Sequence, residues 1–205
     1  MVTTTSLLIP LLALLSNLDA TIASPPLSEY APTCPQISAD PIPVQQIPSH
    51  FPPRAVIDVS ATETIKRTLA TYALAVDGKD WAALGAVFAA DAVANYSAPL
   101  GVLTGLSAIR STLSASLAQF AGTQHSLGTQ IVDVCASGVA VSLTYYTATH
   151  YLQGAARNST SIVNGGQVLY AHGQYQDTWS KQQDGSWKIV IRNLVYMVSG
   201  LENGQ

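Results

Sequence analysis

Two histidines and one aspartate have the side chains that proton-transfer chemistry needs. His125 lies in the segment Thr123-Gln124-His125-Ser126-Leu127-Gly128, just ahead of a strand-like run, and His150 ends a long alternating strand. Asp77 closes an apolar helical segment far upstream. Histidine exchanges protons near neutral pH, and a carboxylate on its far ring nitrogen fixes the tautomer. We therefore expect these three side chains to meet in one apolar pocket and to move protons on a small organic molecule.

The helix that leads to Asp77 has a clear start and stop. A capping-box pattern, Ser60 to Glu63, opens it, and Gly78 is suited to end it. Its apolar stripe recurs at helical spacing, at Ile65, Leu69, Tyr72 and Val76. The negative end of a helix disfavours a carboxylate, so an acid at this position indicates function. A solvated aspartate in a turn is the alternative interpretation.

Two more helices are predicted before the sheet. Asp80 is expected to cap the second, whose buried face consists of Trp81, Leu84 and Phe88. After a turn between Gly101 and Gly105, the third starts at Ser107 with an apolar face of Ile109, Leu113, Leu117 and Phe120. Between these two helices, Asp91–Ser97 reads as a strand. If Asn95 of that strand faces solvent, Tyr96 points inward.

The C-terminal half predicts a long-stranded antiparallel sheet. An Asp-Gly turn at Asp184 and a short Gly138 connection are typical of hairpins. The expected strands are Thr129–Val134, Val139–Leu152, Gln167–Lys181 and Trp187–Val198. Three helices followed by such a sheet define an α+β layout. Long strands that face helices on one side must curve, which gives a cone-shaped fold with a cavity.

Side-chain alternation along two of these strands selects the expected pocket wall. Tyr146 and His150 share one face of their strand, and His172, Gln174 and Gln176 share one face of the next. We predict that this set, together with Tyr72 and Val76 of the first helix, lines the pocket. The same pattern fits the solvent side of a half-exposed sheet, but such faces usually carry Lys, Glu and Arg, which are absent here.

Composition restricts the partners. The 205 residues suffice for one domain with a core, and only 10% are charged, with a net charge of −3. No run of Lys or Arg supplies the basic face that nucleic-acid binding requires. The ligand favoured by this composition is small and uncharged.

The N-terminal residues read as a targeting segment. The apolar run Leu7–Leu15 has signal-peptide length and is too short to span a bilayer, with cleavage after Ala23 expected. A buried helix is the alternative. Sequons at Asn95 and Asn158 suit a glycosylating compartment. We expect residues 1–23 to be a signal peptide, the mature chain to have no stable membrane span, and the location to be secreted or in the secretory lumen.

A proline-rich arm follows, over residues 24–56, and its proline density excludes helix and central strand. The arm carries Cys34, and Cys135 lies at the end of a predicted strand. In an oxidising compartment the two could pair and tie the arm to the sheet; two unrelated thiols fit equally well. Without a CxxC spacing they make no zinc site, and the scattered histidines have no ligand spacing, so no metal is expected.

Several strings together carry a resemblance to a known family. They are Val76-Asp77-Gly78-Lys79-Asp80-Trp81, Asn95-Tyr96, Thr123-Gln124-His125 with Gly128, Thr149-His150, and the segment from Trp179 to Trp187. In this order they resemble the SnoaL-like branch of the nuclear transport factor 2-like superfamily, and functionally the fungal scytalone dehydratases. The resemblance covers residues 57–200, leaving 201–205 as a tail. It implies a strongly curved mixed or antiparallel sheet wrapped around N-terminal helices and enclosing an apolar pocket.

The resemblance also implies residue roles. Asp77 and His125 match the family's acid–histidine pair, His150 its second histidine and Tyr96 a pocket tyrosine. Val76 stands where a second tyrosine is expected. Gln174 and Gln176 stand where serine and asparagine are expected, so the hydrogen bonds offered to substrate differ.

These observations predict a cofactor-independent lyase or isomerase, of dehydratase or cyclase type, acting on a polyketide- or terpenoid-like metabolite. His125 is the expected base and acid, Asp77 its orienter, and His150 with Tyr96 the polarisers of a substrate oxygen. Two alternatives remain open: a secreted binding protein that uses the same pocket without chemistry, and a domain with a vestigial pocket. A homo-oligomer, dimer or trimer, formed through the open sheet face is also expected.

Overall fold

The computed structural model describes residues 34–35, 42–54, 57–153 and 168–197. All of them belong to one unit, which extends from Pro32 to Gln205. The predicted signal peptide, the sequon at Asn158 and the tail 201–205 lie outside the described residues. Within the described residues, no helix is long and apolar enough to cross a membrane.

Six strands and a few helices form an α+β fold, as predicted. The helices are α1 (Ile47–His50), α2 (Val59–Asp77) and α3 (Leu106–Leu117), with 3-10 turns at Val44–Gln46 and Ala83–Ala86. The strands are β1 (Phe88–Asn95), β2 (Val102–Thr104), β3 (Phe120–Ala136), β4 (Val139–Leu152), β5 (Val168–Lys181) and β6 (Trp187–Tyr196). Their order in the open sheet is β2-β1-β6-β5-β4-β3. The sheet is mixed because β1 and β6 run parallel.

The sheet bends at a bulge in β3. Leu127 pairs with Tyr146 and Gln130 with Thr144, so two residues of β3 oppose one of β4. A bulge of this kind bends its strand and increases the local twist. The predicted strand began only at Thr129, whereas the observed strand begins at Phe120 and includes His125. Gly128 lies in the bulge of this longer strand.

The main core lies between the helices and the inner face of this curved sheet. The buried stripe of α2 contains Ile65, Leu69, Tyr72 and Val76, as the spacing predicted. The side chain of Asp58, rather than Ser60, caps the helix by accepting from the Ala61 N–H (2.9 Å). The α3 face of Ile109, Leu113 and Leu117 is buried as expected.

The prediction that the proline-rich arm contains no helix was wrong. The arm contains the turn Val44–Gln46 and the short helix Ile47–His50, whose Pro48 lies in the first turn, where a missing N–H is tolerated.

Two further local predictions were wrong. The second helix is only the turn Ala83–Ala86, and Phe88 begins a strand that pairs with Ile189. Long-range pairing outweighs a weak local helical signal there. The turn between Gly101 and Gly105 contains the short strand β2; both glycines have positive φ (68° and 84°), which L-residues with a Cβ rarely adopt.

A second, smaller core lies on the outer face of the sheet, where the N-terminal arm covers β3 and β4. Ile42 and Phe51 pack with Cys135, Val141 and Leu143. Cys34 and Cys135 form a disulfide. Arg54 adds a forked ion pair to Asp133, with Nε–Oδ1 at 2.8 Å and Nη2–Oδ2 at 2.6 Å.

Removing the disulfide is expected to lower stability. The bond closes a loop with a sequence separation of 101 residues, so it restricts the unfolded chain strongly. Cys34→Ala should lower the free energy of unfolding by about 2–4 kcal/mol in urea denaturation. Wild-type protein in reducing buffer serves as the control and should match the variant. Equal midpoints for the variant and the oxidised wild type would contradict this expectation.

Candidate active site

The carboxylate of Asp77 and the ring of His125 are in direct contact. Nδ1 of His125 lies 2.7 Å from Oδ1 of Asp77. The backbone N–H of His125 donates to Oδ2 (2.8 Å), and the Thr123 hydroxyl donates to Oδ1 (2.9 Å). Three donors thus compensate the carboxylate for its place at the C-terminus of α2, where the helix dipole opposes it. The same contacts fix the plane of the imidazole.

The environment holds Asp77 in its ionised form. Burial raises the pKa of Asp77, but the hydrogen bonds and charge of His125, with the hydrogen bond from Thr123, bring the pKa below its usual value. An ionised carboxylate at Nδ1 favours the tautomer in which Nδ1 carries the proton. Nε2 is then the basic nitrogen.

His150 lies beside this pair because of the strand register. It is directly opposite Thr123 in the β3–β4 ladder, and Ala148 is opposite His125. The two imidazole centroids are 6.0 Å apart, and the His150 ring packs against Phe120 at 4.7 Å. Burial and, to a lesser degree, the neighbouring His125 lower the pKa of His150. His150 is therefore neutral at pH 7.

The titration of His150 can be measured directly. We expect its ring protons to titrate below the usual pKa of 6.5 in NMR spectra. In the His125→Ala variant the pKa should rise, because one of the causes of its depression is removed, yet stay below 6.5 because burial remains. Since the folded-state pKa is lowered, this group costs stability as the pH falls below 6.5. A pKa at or above 6.5 in the wild type would contradict the burial argument.

Both histidines open onto a cavity of about 330 Å³. Its wall is mostly apolar and rich in rings, and the residues that line it are Tyr72, Val76, Tyr96, Pro99, Leu100, Leu113, Ser116, Leu117, Gln119, Phe120, His125, Tyr146, Ala148, His150, Leu169, Tyr170, Ala171, Tyr175, Leu194 and Tyr196. Among the described residues, no Lys, Arg, Asp or Glu belongs to this lining. A cavity of this size suits a small organic ligand.

The predicted residues Tyr72, Val76, Tyr96 and Tyr146 all lie at this cavity. Tyr96 is buried, and its hydroxyl is 3.3 Å from that of Tyr72. Its neighbour Asn95 is half-buried, and the Asn95 Oδ1 accepts from the Ser97 N–H (2.9 Å). Burial, above all, raises the pKa of Tyr96 well above 10, so the phenol is protonated and can donate.

Three residues predicted for the pocket, His172, Gln174 and Gln176, lie on the opposite face of the sheet. In the β4–β5 ladder Tyr146 faces Gly173, and Thr144 faces Tyr175. Directly opposed residues of an antiparallel pair share a face, so the odd-numbered residues of β5 face the cavity. The prediction chose His172, Gln174 and Gln176 for their imidazole and amides, and it was wrong for these three residues.

The three displaced side chains have other surroundings. Gln174 and Gln176 are buried, with Nε2 of Gln176 donating to Oε1 of Gln174 (3.0 Å) and Nε2 of Gln174 reaching the Ile42 carbonyl (3.5 Å). His172 is exposed, with Nδ1 at 3.2 Å from the Thr147 hydroxyl.

Sequence reasoning missed several wall residues, notably Tyr175 and Tyr196. The Tyr175 ring stacks on that of Tyr146, with centroids 4.3 Å apart and planes 13° apart. Gly173 makes this possible, because a Cβ there would lie 2.7 Å from the Tyr146 ring. The sequence showed the alternation of β5 but not the register opposite Thr144, which decides which of the two sets faces the cavity.

Metal-ligating side chains do not cluster. Among the described residues, no group of three or more His, Cys, Asp or Glu could hold a metal ion. The donors nearest the cavity, Asp77 and His125, are committed to each other.

The family model for the SnoaL-like domain matches residues 58–193, and the chain belongs to this family. No curated protein matches the sequence significantly. The fold is that of the nuclear transport factor 2-like superfamily: a superfamily protein from Salmonella enterica serovar Typhimurium matches with 19% identity, 71% of this chain, 100% of its own and a TM-score of 0.56.

Two further solved structures are similar. One is a protein provisionally named scytalone dehydratase from Novosphingobium aromaticivorans, with 25% identity, 68% of this chain, 86% of its own and a TM-score of 0.57. The other is a hexachlorocyclohexane dehydrochlorinase, LinA type 2, with 13% identity, 68% of this chain, 86% of its own and a TM-score of 0.55. Proteins with this fold therefore include ones named as enzymes. The reaction of this chain must be argued from its own site.

Proposed function

We propose that this chain is a cofactor-independent lyase or isomerase, of dehydratase or cyclase type, that uses His125 and Asp77 for general acid–base chemistry. The observation that carries the proposal is the Asp77–His125 pair, whose imidazole lines a partly open, ring-lined cavity. A paired carboxylate and imidazole is the arrangement by which proteins prepare a base near neutral pH.

The reaction begins with removal of a proton from carbon. Nε2 of His125 accepts a proton from a C–H next to a carbonyl, and the electron pair of that bond becomes the enolate. Asp77 stabilises the imidazolium that forms, because its ionised carboxylate holds the Nδ1 proton. The enolate oxygen needs hydrogen-bond donors, and the tyrosine hydroxyl pair at the cavity wall can supply them.

The second step returns the proton. In a dehydration the enolate re-forms the carbonyl, a C=C bond forms, the C–O bond to the leaving hydroxyl breaks, and His125 protonates that hydroxyl to give water. In an isomerisation the same proton is returned to another carbon. His150 is the second polar ring at the cavity, and its neutral state at pH 7 lets it hydrogen-bond a substrate oxygen.

The cavity lining supports a small, uncharged and largely apolar substrate, of polyketide or terpenoid type. In the part of the chain that the structure describes, no side chain with a permanent charge lines the cavity. A charged ligand would lose its hydration without a counter-charge, which is costly.

Mass spectrometry tests the proposal. Purified protein is incubated with a panel of β-hydroxyketones, including tetralone- and decalone-type compounds, and with an extract of the source organism. Loss of one water, or a changed retention time at constant mass, is the expected outcome. If a ligand binds by calorimetry and is returned unaltered, the chain is a binding protein and not an enzyme.

We further propose that the protein works in the lumen of the secretory pathway or outside the cell. The disulfide between Cys34 and Cys135 supports an oxidising compartment. Extraction from the source culture medium under non-reducing conditions, with thiol labelling, tests this. Recovery of the protein from the cytosol with both thiols free would overturn it.

A further inference from the structure

A buried ion pair lies beneath the tyrosines of the cavity. Arg192 of β6 is fully buried and is not part of the cavity lining. Its Nε and Nη2 donate to the two carboxylate oxygens of Asp177, at 2.7 and 2.8 Å. A buried forked pair costs desolvation energy, and replacing it by apolar residues is often neutral or stabilising. Its presence therefore calls for an explanation beyond stability.

Two of the rings that contact Arg192 belong to the cavity wall. The guanidinium carbon lies 4.2 Å from the Tyr72 ring centroid and 4.3 Å from that of Tyr175. Tyr72 and Tyr175 also pack edge to face, with centroids 5.5 Å apart. A planar cation between two rings fixes both ring planes.

The third nitrogen of the Arg192 guanidinium, Nη1, takes no part in the forked pair with Asp177. Nη1 of Arg192 is buried and makes no hydrogen bond of full length-and-angle geometry. Tyr96 is its phenol neighbour: burial and Tyr72 raise the pKa of Tyr96, whereas the charge of Arg192 and a hydrogen bond from Arg192 act to lower it. One donor of the guanidinium therefore remains for the oxygen of Tyr96.

We propose that the cavity has an oxygen-binding end at Tyr72, whose hydroxyl donates a hydrogen bond to an oxygen of the ligand. Arg192, held by Asp177, is the positioning residue of this donor. Nη1 of Arg192 donates to the Tyr96 oxygen, Tyr96 donates to Tyr72 across their 3.3 Å contact, and the Tyr72 hydroxyl donates into the cavity. Hydrogen bonds in such a chain polarise one another, so the last donor is strengthened. The ligand class is one with a phenolic or enolate oxygen on a planar ring.

This inference rests on the proposed function only in its choice of ligand, because binding can be measured without turnover. The probe is 4-nitrophenol, whose absorption spectrum reports how far its oxygen is polarised or ionised. Its single ring fits a cavity of about 330 Å³. Bound to the wild type, it is expected to show a red-shifted absorption relative to water at the same pH.

Three variants separate positioning from folding. Tyr72→Phe keeps the ring and removes the hydroxyl; it should weaken 4-nitrophenol about tenfold and abolish the red shift, as the loss of one hydrogen bond implies. Arg192→Met/Asp177→Leu removes both charges together, and should abolish the shift while circular dichroism and the unfolding midpoint stay near wild type. Tyr145→Phe, on the outer face of β4 and outside the cavity lining, is the matched control and should change neither.

The outcomes are distinct. The proposal is overturned if the wild type neither binds 4-nitrophenol nor shifts its absorption. It is also overturned if the shift persists in Tyr72→Phe. A folded double variant that retains the full shift removes Arg192 from the role. If the double variant does not fold, Tyr96→Phe decides, since the chain predicts loss of the shift there too. The His125→Ala variant should keep the shift, so a failure of the catalytic proposal is recognised separately.

Discussion

The His125→Ala variant is expected to lower kcat by about 10²–10⁴-fold, the range that general acid–base groups supply. Among the described residues that line the cavity, His125 is the only one whose ring nitrogen Nδ1 contacts an ionised carboxylate, that of Asp77. Asp77→Asn should have a loss of similar order, because an amide at Nδ1 no longer selects the productive tautomer. The measurement is initial rate on the first substrate identified by mass spectrometry.

The chain offers a matched control for this variant. His172 has the same side chain and lies on β5, but on the outer face of the sheet. His172→Ala should leave kcat and KM unchanged. Equal rates for His125→Ala and the wild type would remove the catalytic assignment and leave a binding protein.

The second large effect is on stability. Asp177→Ala leaves the guanidinium of Arg192 buried without its counter-charge and is expected to cost about 3–5 kcal/mol. Burial raises the pKa of Asp177, and the charge and hydrogen bonds of Arg192 oppose this rise. Urea denaturation of the variant measures the loss.

A paired substitution isolates the charge effect from the loss of volume. In Arg192→Met/Asp177→Leu no lone charge remains, so most of the stability should return. If the single and double variants are equally unstable, packing rather than the unpaired charge determines the cost. If both match the wild type, the pair contributes nothing measurable to folding.

The acid–histidine pair could be recognised from the sequence because each partner is marked locally. Asp77 stands at the end of a clear amphipathic helix, where a carboxylate is disfavoured unless donors compensate it. His125 lies three residues before Gly128, which interrupts a strand-like run. What the sequence could not give was the contact itself, because it joins elements 48 residues apart.

The pocket wall was harder to predict, because it depends on register. Side-chain alternation divides β5 into two sets, but only pairing with β4 shows which set faces the helices. Tyr175 and Gln174 are adjacent, and one faces the cavity whereas the other faces the arm. The choice by polarity failed because this protein buries amides on its outer face, beneath Ile42.

The second helix failed for a related reason. Trp81, Leu84 and Phe88 have helical spacing, yet Phe88 pairs with Ile189, about 100 residues later in the chain. Local propensity is a weak guide where a strand is recruited into a sheet from far along the chain. The disulfide was likewise undecidable, since whether two cysteines approach each other is a property of the fold.

Because the N-terminal arm docks on the sheet, the folded unit is longer than the segment that matches the family model. The family match begins at residue 58, but Ile42 and Phe51 lie N-terminal to it and complete the outer core. A recombinant fragment trimmed to the family match would present Val141, Leu143 and the thiol of Cys135 to water. Expression boundaries for this protein therefore belong upstream of Cys34.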